Sequence, residues 1–337
     1  RYRRGQNRLM KTNAMRSRSA DTAQKVKALT DKLEAGVKEV FESEQYKAYM
    51  KAMAKFHQYS FNNVMLILMQ CPNASAVTGY ATWEKQFGRT VKNGESGIQI
   101  IAPTSYKRIV ETVTLDPVTN MPILDADGEP VKEKQYVVQR GYKIAYAFDV
   151  SQTVGRELPS YGVSELHGSV QNYDTMLNAV LELAPVPVIF REPDGDDRGC
   201  YVHSERRIYL NRGMSQIDTI SILIHETAHA MLHALPVKDG VVVGKPEKNR
   251  RTREVEAESI AYVVCQHFGI ETGDSSFAYI TGWSKDKELD ELKASLDCIS
   301  KTSAKMIDEI EAKLPDLKIT FEKSSRKKYF VSRGNEV

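Results

Sequence analysis

The chain has 337 residues, of which 41% are hydrophobic, and its formal net charge is only +3. This length and composition suffice for two globular domains and exclude a disordered or low-complexity polypeptide. No apolar run reaches the ~18 residues that a membrane span needs, and no signal-peptide core follows the basic start, so we expect a soluble, cytoplasmic protein.

Basic residues are concentrated at the two ends of the chain. The first twenty residues contain seven arginines and lysines and no acidic residue, whereas the rest of the chain has a net charge of −4. A basic arm of this kind either contacts nucleic acid or remains a solvated terminus. A second basic segment, the tail, occupies residues 316–337. Between the arm (residues 1–20) and the tail we predict an α+β protein with two domains, residues 21–160 and residues 161–315.

The first predicted domain begins with helices and continues with strands. Residues 21–70 place apolar side chains at helical spacing, so we expect packing helices there. From Tyr80 to Val150 the apolar residues alternate with a period of two, and turn signals interrupt them. We expect this region to be β-rich and built from antiparallel hairpins.

Aromatic and basic residues lie close together at the start of the β-rich region. Tyr80 and Trp83 shortly precede Arg89 and Lys92. Aromatic rings beside cations can stack the bases of single-stranded nucleic acid, so these four residues are candidates for DNA binding. Trp83 and Phe87, four residues apart, would serve equally well as an aromatic pair in a core. Residue type and spacing leave both interpretations open.

A longer motif in this region resembles a known family. The segment from Ser60 to Pro103, with Asn63, the spacing of Tyr80 and Trp83, and the run GRTVKNGESGIQIIAP, resembles the N-terminal domain of ArdC-type antirestriction proteins and of LtrC-like proteins of conjugative elements. The run from Phe148 to Thr153 is similar to the end of that domain. The resemblance implies that this domain binds single-stranded DNA and that a zinc metallopeptidase-like domain follows it.

The second predicted domain mixes helices with short strands. We expect a helix at Tyr173 to Leu183, a strand at Pro187 to Phe190, and a hairpin with arms at Tyr201 to His203 and Ile208 to Leu210. A last long helix is predicted at Ser284 to Leu314.

The stretch from Ser215 to Leu235 contains two histidines and a glutamate at a spacing that is typical of a metal site. His225 and His229 lie one turn apart on the same face of a predicted helix, so two imidazoles can bind one metal ion, with Glu226 beside them. This HExxH motif is typical of zinc hydrolases, in which the glutamate is the catalytic base. A capping box at Ser215 and an apolar stripe predict that the helix is amphipathic and buried; the stripe comprises Ile217, Ile220, Ile224, Ala228 and Met231.

The next predicted helix, Arg253 to Phe268, supplies candidates for a third metal ligand. Glu254 and Glu258 share one face, so one can bind the metal while the other orients a ligand histidine, and Glu256 points elsewhere. We predict a zinc site formed by the two histidines and Glu254, with Glu258 behind it. This arrangement resembles the gluzincin pattern, whereas a register on Glu256 resembles the ImmA/IrrE peptidases and one on Glu258 fits a shorter version, so both remain alternative ligands.

Together these features predict a mobile-element protein of the antirestriction type, with a single-stranded-DNA-binding domain and a gluzincin-type zinc metallopeptidase domain. Its partners would be single-stranded DNA and a protein or peptide substrate, without a membrane. Two alternatives stay open. One is a DNA-binding accessory protein whose zinc site is structural or vestigial, and the other is an ImmA-like regulatory peptidase that cleaves a repressor.

Overall fold

The computed structural model divides the chain into two compact units. The hairpin unit is formed around residues 100–145, and the larger unit combines residues 30–99 with residues 146–328. The predicted arm, the tail and the predicted boundary at residue 160 lie outside the described residues. The structure describes residues 24–37, 39–41, 43–117, 119–158, 170–193, 197–239, 241–272, 283–285 and 287–314.

Helices dominate the chain up to residue 87. They are α1 (residues 24–37), α2 (Ser43–Lys55), α3 (Phe61–Gln70) and α4 (Tyr80–Phe87). The apolar faces of α2 and α3 are buried, as expected for packing helices. The helix α4 corrects the sequence expectation, because this stretch was assigned to the β-rich region. Gly88 ends α4 in a left-handed conformation at φ 59°, which glycine adopts without steric cost.

Five strands follow the helices or lie between them. They are β1 (Val77–Gly79), β2 (Arg89–Val91), β3 (Ile98–Val113), β4 (Lys132–Asp149) and β5 (Thr153–Gly155). The strands β1, β4 and β3 form one sheet in that order, and β2 pairs antiparallel with β5.

Asp149 fixes the junction where β4 ends. Its Oδ1 accepts hydrogen bonds from the backbone N–H groups of Ser75 at 2.8 Å and Ala76 at 3.0 Å, and its Oδ2 accepts one from Ser151 at 2.9 Å. Asp149 is 1% exposed, so its charge is compensated by these three donors instead of by water. The carboxylate therefore ties the start of β1 to the turn that leads into β5.

The hairpin unit contains most of β3 and β4 and the turns that join the two strands. Thr114 N–H donates to the Val131 carbonyl at 2.8 Å, which closes the ladder below the turns. At the far end, Asp125 Oδ1 accepts hydrogen bonds from the N–H groups of Asp127 and Glu129, both at 3.0 Å. The acidic residues at this end thus form a turn.

The rest of the larger unit contains a small sheet and long helices. The sheet has the order β6-β8-β7, with β6 (Val188–Arg191) parallel and β7 (Gly199–Val202) antiparallel to β8 (Arg207–Asn211). The helices are α5 (Val170–Leu183), α6 (Gln216–Leu232), α7 (Arg250–His267) and α8 (Leu289–Lys313). A two-stranded hairpin of β9 (Val237–Lys238) and β10 (Val241–Val242) connects α6 to α7.

Helix α7 is the centre of the larger unit. It packs against α6, α8 and α2, so it is buried on nearly all sides, and its Val255, Ile260 and Val264 are inaccessible to solvent. Tyr46 of α2 and Ser259 of α7 share a hydrogen bond of 2.7 Å between their hydroxyl groups. The whole described fold is mixed α+β, as predicted. Among the described residues, no helix has both the length and the apolarity that crossing a bilayer requires.

Candidate metal centre

Helix α6 presents the two histidines of the HExxH motif. Ser215 caps the helix, because its Oγ accepts the Asp218 N–H at 3.1 Å. Ile224 and Ala228 are fully buried on the core side, which fixes the rotation of the helix about its axis. Ile217, which the apolar stripe placed in the core, is 46% exposed, because the first turn of the helix faces solvent on that side. Ile220, Ile224 and Ala228 of the predicted stripe are buried, together with Thr219, Leu223, Glu226, Thr227 and Ala230.

Three donor atoms from α6 and α7 converge on one point. The Nε2 atoms of His225 and His229 are 3.0 Å apart. Glu254 Oε2 lies 3.4 Å from His229 Nε2 and 3.6 Å from His225 Nε2. Asn249 positions the start of α7 by accepting the Thr252 N–H at 2.9 Å on its side-chain oxygen, so Glu254 falls in the first turns, facing α6. These three residues form what we call the HHE cluster.

The spacing within the HHE cluster fits a tetrahedral metal ion. Two ligands bound to one zinc ion at about 2.0–2.1 Å are separated from each other by about 3.3 Å. The three separations in the cluster, 3.0, 3.4 and 3.6 Å, bracket that value. Two imidazoles and one carboxylate also form a donor set that divalent transition metals favour.

The charges around the HHE cluster favour a cation. Burial alone would lower the pKa of His225, but hydrogen bonds to Glu254 and Glu258 and the charge of Glu226 raise it to about 10. Hydrogen bonds from His225 and His229 in turn hold the pKa of the Glu254 carboxyl well below its usual range. Positive charge between these carboxylates is therefore stabilised, which is the electrostatic condition for binding a divalent ion.

Glu258 holds the other nitrogen of the first histidine. Its Oε2 lies 3.1 Å from His225 Nδ1. A carboxylate can only accept a hydrogen bond, so Nδ1 keeps its proton, and binding of a metal ion through Nε2 requires only that the other imidazole proton leave. Glu258 thus contacts the side of His225 that faces away from the HHE cluster. Residues that orient a metal-binding histidine make this kind of contact.

A buried chain of hydrogen bonds orients the second histidine. Glu256 is fully buried, and its Oε2 lies 3.1 Å from His233 Nε2. Hydrogen bonds from His233 and Lys248 outweigh the cost of burial and lower the pKa of Glu256, so this carboxylate accepts the His233 proton. His233 Nδ1 is then an acceptor for His229 Nδ1, 2.9 Å away, which leaves His229 Nε2 free to bind a metal. Glu256 therefore acts on the cluster at a distance and does not face it.

Three residues of this hydrogen-bond network were not predicted from the sequence. His233 continues the i, i+4 series of histidines, and that signal was visible, but the residue was left out of the predicted site. Lys248 Nζ donates to both oxygens of Glu256, at 2.7 and 2.9 Å, and Ser295 Oγ donates to Oε1 at 2.8 Å. No local pattern marks Lys248 or Ser295, because they reach Glu256 from the connection before α7 and from α8.

The carboxyl group of Glu226 is buried close to His225. The residue is 8% exposed and belongs to α6 beside the two histidines. Burial raises the pKa of its carboxyl, against the opposing effects of the His225 charge and of a hydrogen bond from the Tyr201 backbone N–H in β7. A carboxylate with a raised pKa is a better proton acceptor near neutral pH than an exposed one.

A second group of potential ligands lies elsewhere in the larger unit. His57, Asp308 and Glu311 each offer one ligand atom within 4.8 Å of the others. These atoms have other partners: Gln58 Nε2 donates to Asp308 at 3.0 Å and lies 2.7 Å from His57 Nε2, and His267 Nε2 lies 2.8 Å from Glu311. Among the described residues, the HHE cluster is therefore the stronger candidate metal site.

Comparison with known proteins identifies the N-terminal part of the chain. Residues 20–148 match the family model for the N-terminal domain of anti-restriction factor ArdC. This stretch is therefore similar to the ArdC N-terminal domain. The family resemblance predicted from the motifs around Tyr80 and Phe148 is thereby confirmed for this part of the chain.

Similarity to individual proteins extends further along the chain. The uncharacterized protein pXO2-81 of Bacillus anthracis is 29% identical over 300 residues, which cover 81% of this chain and 49% of the relative. The chain therefore spans about half the length of the curated relative that it matches. Crystal structures of the antirestriction ArdC protein from the R388 plasmid are similar at 16% identity over 76% of this chain. The metal-free structure has a TM-score of 0.41 over 85% of that protein, and the Mn(II)-bound structure has 0.42 over 84%.

Within the stretch that matches the ArdC model, the structure corrects one predicted DNA-binding residue. Trp83 is 1% exposed, its Nε1 donates to the Phe148 carbonyl at 2.8 Å, and its ring lies 5.1 Å from that of Phe87. A buried indole cannot stack on a base, so Trp83 is a core residue, as the alternative interpretation held. The spacing alone could not decide this, because a core pair and a stacking pair share it.

The other three predicted residues differ in what their side chains do. The guanidinium of Arg89 donates to Thr153 Oγ1 at 2.7 Å and to the Thr153 carbonyl at 3.1 Å, so it joins β2 to β5. Tyr80 is 50% exposed. Lys92 is exposed too, although its Nζ donates to the Ser151 carbonyl at 2.7 Å. Of the four candidates in this stretch, Tyr80 and Lys92 offer accessible groups.

Proposed function

We propose that the chain contains a metal-dependent hydrolase site of the gluzincin type, with His225, His229 and Glu254 as metal ligands. The convergence of three donor atoms at separations of 3.0 to 3.6 Å carries this proposal. Two neutral imidazoles and a carboxylate suit zinc, and the two ligand histidines have their Nδ1 atoms held by Glu258 and His233. When bound, the ion would supply Lewis acidity that makes a water molecule more acidic and polarises a carbonyl group.

Glu226 would act as the general base and acid. Its carboxylate would accept a proton from the attacking water and then deliver the proton to the leaving nitrogen of a cleaved peptide bond. The raised pKa of its carboxyl suits both roles, because the group can hold the proton between the two steps. The hydrogen bond from the Tyr201 N–H would keep the carboxylate oriented during the reaction.

The strand beside α6, β7, supports an inference about the class of substrate. Strand β7 lies at the edge of the three-stranded sheet and packs against α6. An edge strand offers unpaired backbone groups to which an extended peptide can add as a further strand. We infer that a protein or peptide substrate lies along β7, with its scissile bond next to the HHE cluster.

The biological role is proposed from the ArdC N-terminal domain. Proteins named for this domain are antirestriction factors, so we infer that the chain protects the DNA of a mobile element from host restriction. We also infer that the N-terminal part of the chain binds single-stranded DNA. Trp83 and Arg89 are used within the fold, so an accessible surface of the domain must hold the DNA.

One variant separates the hydrolase from its alternatives. Glu226→Gln should keep the metal content of the wild type and abolish cleavage of casein and of quenched fluorescent peptides. In cells, this variant should also lose protection of conjugated plasmid DNA in a restricting host. Full protection by Glu226→Gln would instead support an accessory protein with a structural ion. Cleavage of a repressor without any protection would support an ImmA-like regulatory peptidase.

A further inference from the structure

The stem of the β3–β4 hairpin exposes both of its faces. We define the stem as residues 104–113 and 132–143, all in the hairpin unit. Its apolar side chains are unusually accessible: Tyr136 is 72% exposed, Tyr142 66% and Val138 60%. A two-stranded ribbon of this kind is marginally stable in water, and exposed apolar groups at this density are typical of a binding surface.

Two contacts show which residues share a face of the stem. Lys134 Nζ lies 3.6 Å from Glu111 Oε1, so even-numbered residues of β4 lie on the same side as odd-numbered residues of β3. A Cβ atom added to Gly141 would lie 3.2 Å from the Tyr106 ring. These two residues therefore lie together on the opposite side. Alternation along each strand assigns the remaining residues to one of the two faces.

The two faces differ in charge. We call the face that contains Lys134 the basic face. It has four cations and one acid, Glu111, whereas the opposite face has two cations, Arg108 and Lys143, and one acid, Glu133. The basic face also contains both of the most exposed tyrosines of the stem. Its cations are Lys107, Lys132, Lys134 and Arg140.

We propose that the basic face of the stem is the surface on which the chain holds single-stranded DNA. This inference rests on the DNA binding in the proposed function and gives it a location. Tyr136 and Tyr142 are six residues apart on one strand face, which separates them by about 20 Å, a length of several nucleotides in an extended strand. Arg140 lies between them on the same face, where it can pair with a phosphate.

Single strands fit this surface better than a duplex does. Stacking on a tyrosine requires a base whose face is accessible, and bases in a duplex are already stacked on each other. Cations that follow the backbone contribute a salt-dependent attraction without reading sequence. The basic face combines exposed rings with four cations on one side of the ribbon, so it should bind single-stranded DNA with little sequence preference.

The hairpin offers a matched control for charge. Lys107→Gln/Arg140→Gln removes two cations from the basic face, and Arg108→Gln/Lys143→Gln removes two from the opposite face of the same ribbon. Binding of the full chain to a fluorescein-labelled oligothymidine is measured by anisotropy as a function of salt. The basic-face variant should bind at least tenfold more weakly, with a salt slope smaller by about 1.4, since each phosphate contact to a single strand contributes about 0.7. The opposite-face variant should stay within about threefold of the wild type.

A tyrosine variant tests stacking separately from charge. Tyr136→Ser/Tyr142→Ser should weaken binding at least tenfold while the salt slope stays that of the wild type, because no cation is removed. All four residues changed in the charge variants and both tyrosines are exposed, and unchanged thermal unfolding of each variant verifies that the fold persists.

Distinct results would overturn the inference. If the wild type binds the oligonucleotide and the two charge variants weaken binding equally, the surface lies elsewhere, while DNA binding itself stands. If the wild type does not bind single strands, both this inference and the DNA-binding part of the proposed function fail. A preference for duplex over single strand, or a dimer that only the basic-face variants dissociate, would assign the face to another partner.

Discussion

Glu256 Oε2 lies 3.1 Å from His233 Nε2, whereas Glu254, two residues earlier on the same helix, points its Oε2 at His229 Nε2 across 3.4 Å. The first carboxylate is fully buried among three polar partners, and the second has 41% of its side chain exposed. Two acids in one helical turn therefore have separable roles. Glu256 supports the fold and, through His233, the orientation of His229, whereas Glu254 faces the HHE cluster, where the proposed ion would bind.

This separation predicts opposite phenotypes for the two alanine variants. Glu256→Ala should lower the free energy of unfolding by about 2–3 kcal/mol, because it leaves the buried polar groups of His233 and Ser295 without their acceptor. Glu254→Ala should change the free energy of unfolding by less than about 1 kcal/mol, since its side chain is partly solvated. Urea denaturation in the presence of EDTA measures both without a contribution from bound metal. Equal losses in the two variants would contradict the assignment.

The sequence predicted the local parts of this site well and its long-range parts poorly. Spacing along one helix places His225 beside His229, and spacing along the next places Glu254 on the same face as Glu258. Both follow from helical geometry alone. The role of Glu256 depends on Lys248 and Ser295, which approach from other elements, so no pattern within one helix could reveal it.

The same limit explains the corrected parts of the fold. Trp83 and Phe87 have a spacing that fits a core pair and a stacking pair equally, and only the packing of the Trp83 ring against the β4 end decides between them. The turn signals of the β-rich region include Asp116-Pro117 and Asp127-Gly128, and both lie at the end of the hairpin. They could not indicate that the flanking runs merge into two strands of 16 and 18 residues, because strand length depends on pairing between distant segments.

Glu258 should tune metal affinity without being a ligand. Glu258→Ala removes the acceptor for the His225 Nδ1 proton and should weaken zinc binding about 10–100-fold, with the stoichiometry of one ion per chain retained. Competition with a chromophoric chelator measures the affinity. Glu311→Ala, which removes a carboxylate from the second group near His57, is the control and should bind zinc as the wild type does. An unchanged affinity in Glu258→Ala would show that His225 needs no such partner.

Asp149 should make stability depend on acid pH. Burial disfavours its charged form, but hydrogen bonds from Ser151, Ser75 and Ala76 outweigh burial and hold the pKa of this carboxyl below its usual range. Its contribution is therefore complete above the unfolded-state pKa of about 3.9 and is lost as pH falls through the lower folded-state pKa.

Comparison of the wild type with Asp149→Asn tests this pH dependence. At pH 7 the variant should be less stable by about 1–3 kcal/mol in urea denaturation, and the difference should shrink as the pH falls below about 4. Asp174→Asn, at an exposed position on α5, is the matched control and should show no comparable difference at either pH. A difference between wild type and Asp149→Asn that does not change with pH would rule out the ionised carboxylate as its source.

Because Trp83 is buried, its replacement should not weaken DNA binding. Trp83→Phe should keep the affinity of the wild type for a single-stranded oligonucleotide within about twofold, while the loss of packing and of the hydrogen bond to Phe148 lowers stability by about 1–3 kcal/mol. Anisotropy and thermal unfolding measure the two effects. A tenfold loss of affinity in a folded Trp83→Phe variant would restore this residue as a stacking platform.

The proposed metal site requires that His225, His229 and Glu254 together bind one divalent ion. Isothermal titration calorimetry of the EDTA-treated, dialysed protein with zinc measures this binding. The wild type and Glu226→Gln should each bind one ion per chain with similar affinity, and Glu254→Ala should lose at least a hundredfold in affinity while it remains folded. Wild-type protein that binds no ion, or a Glu254→Ala variant that binds zinc as tightly as the wild type, would contradict the account.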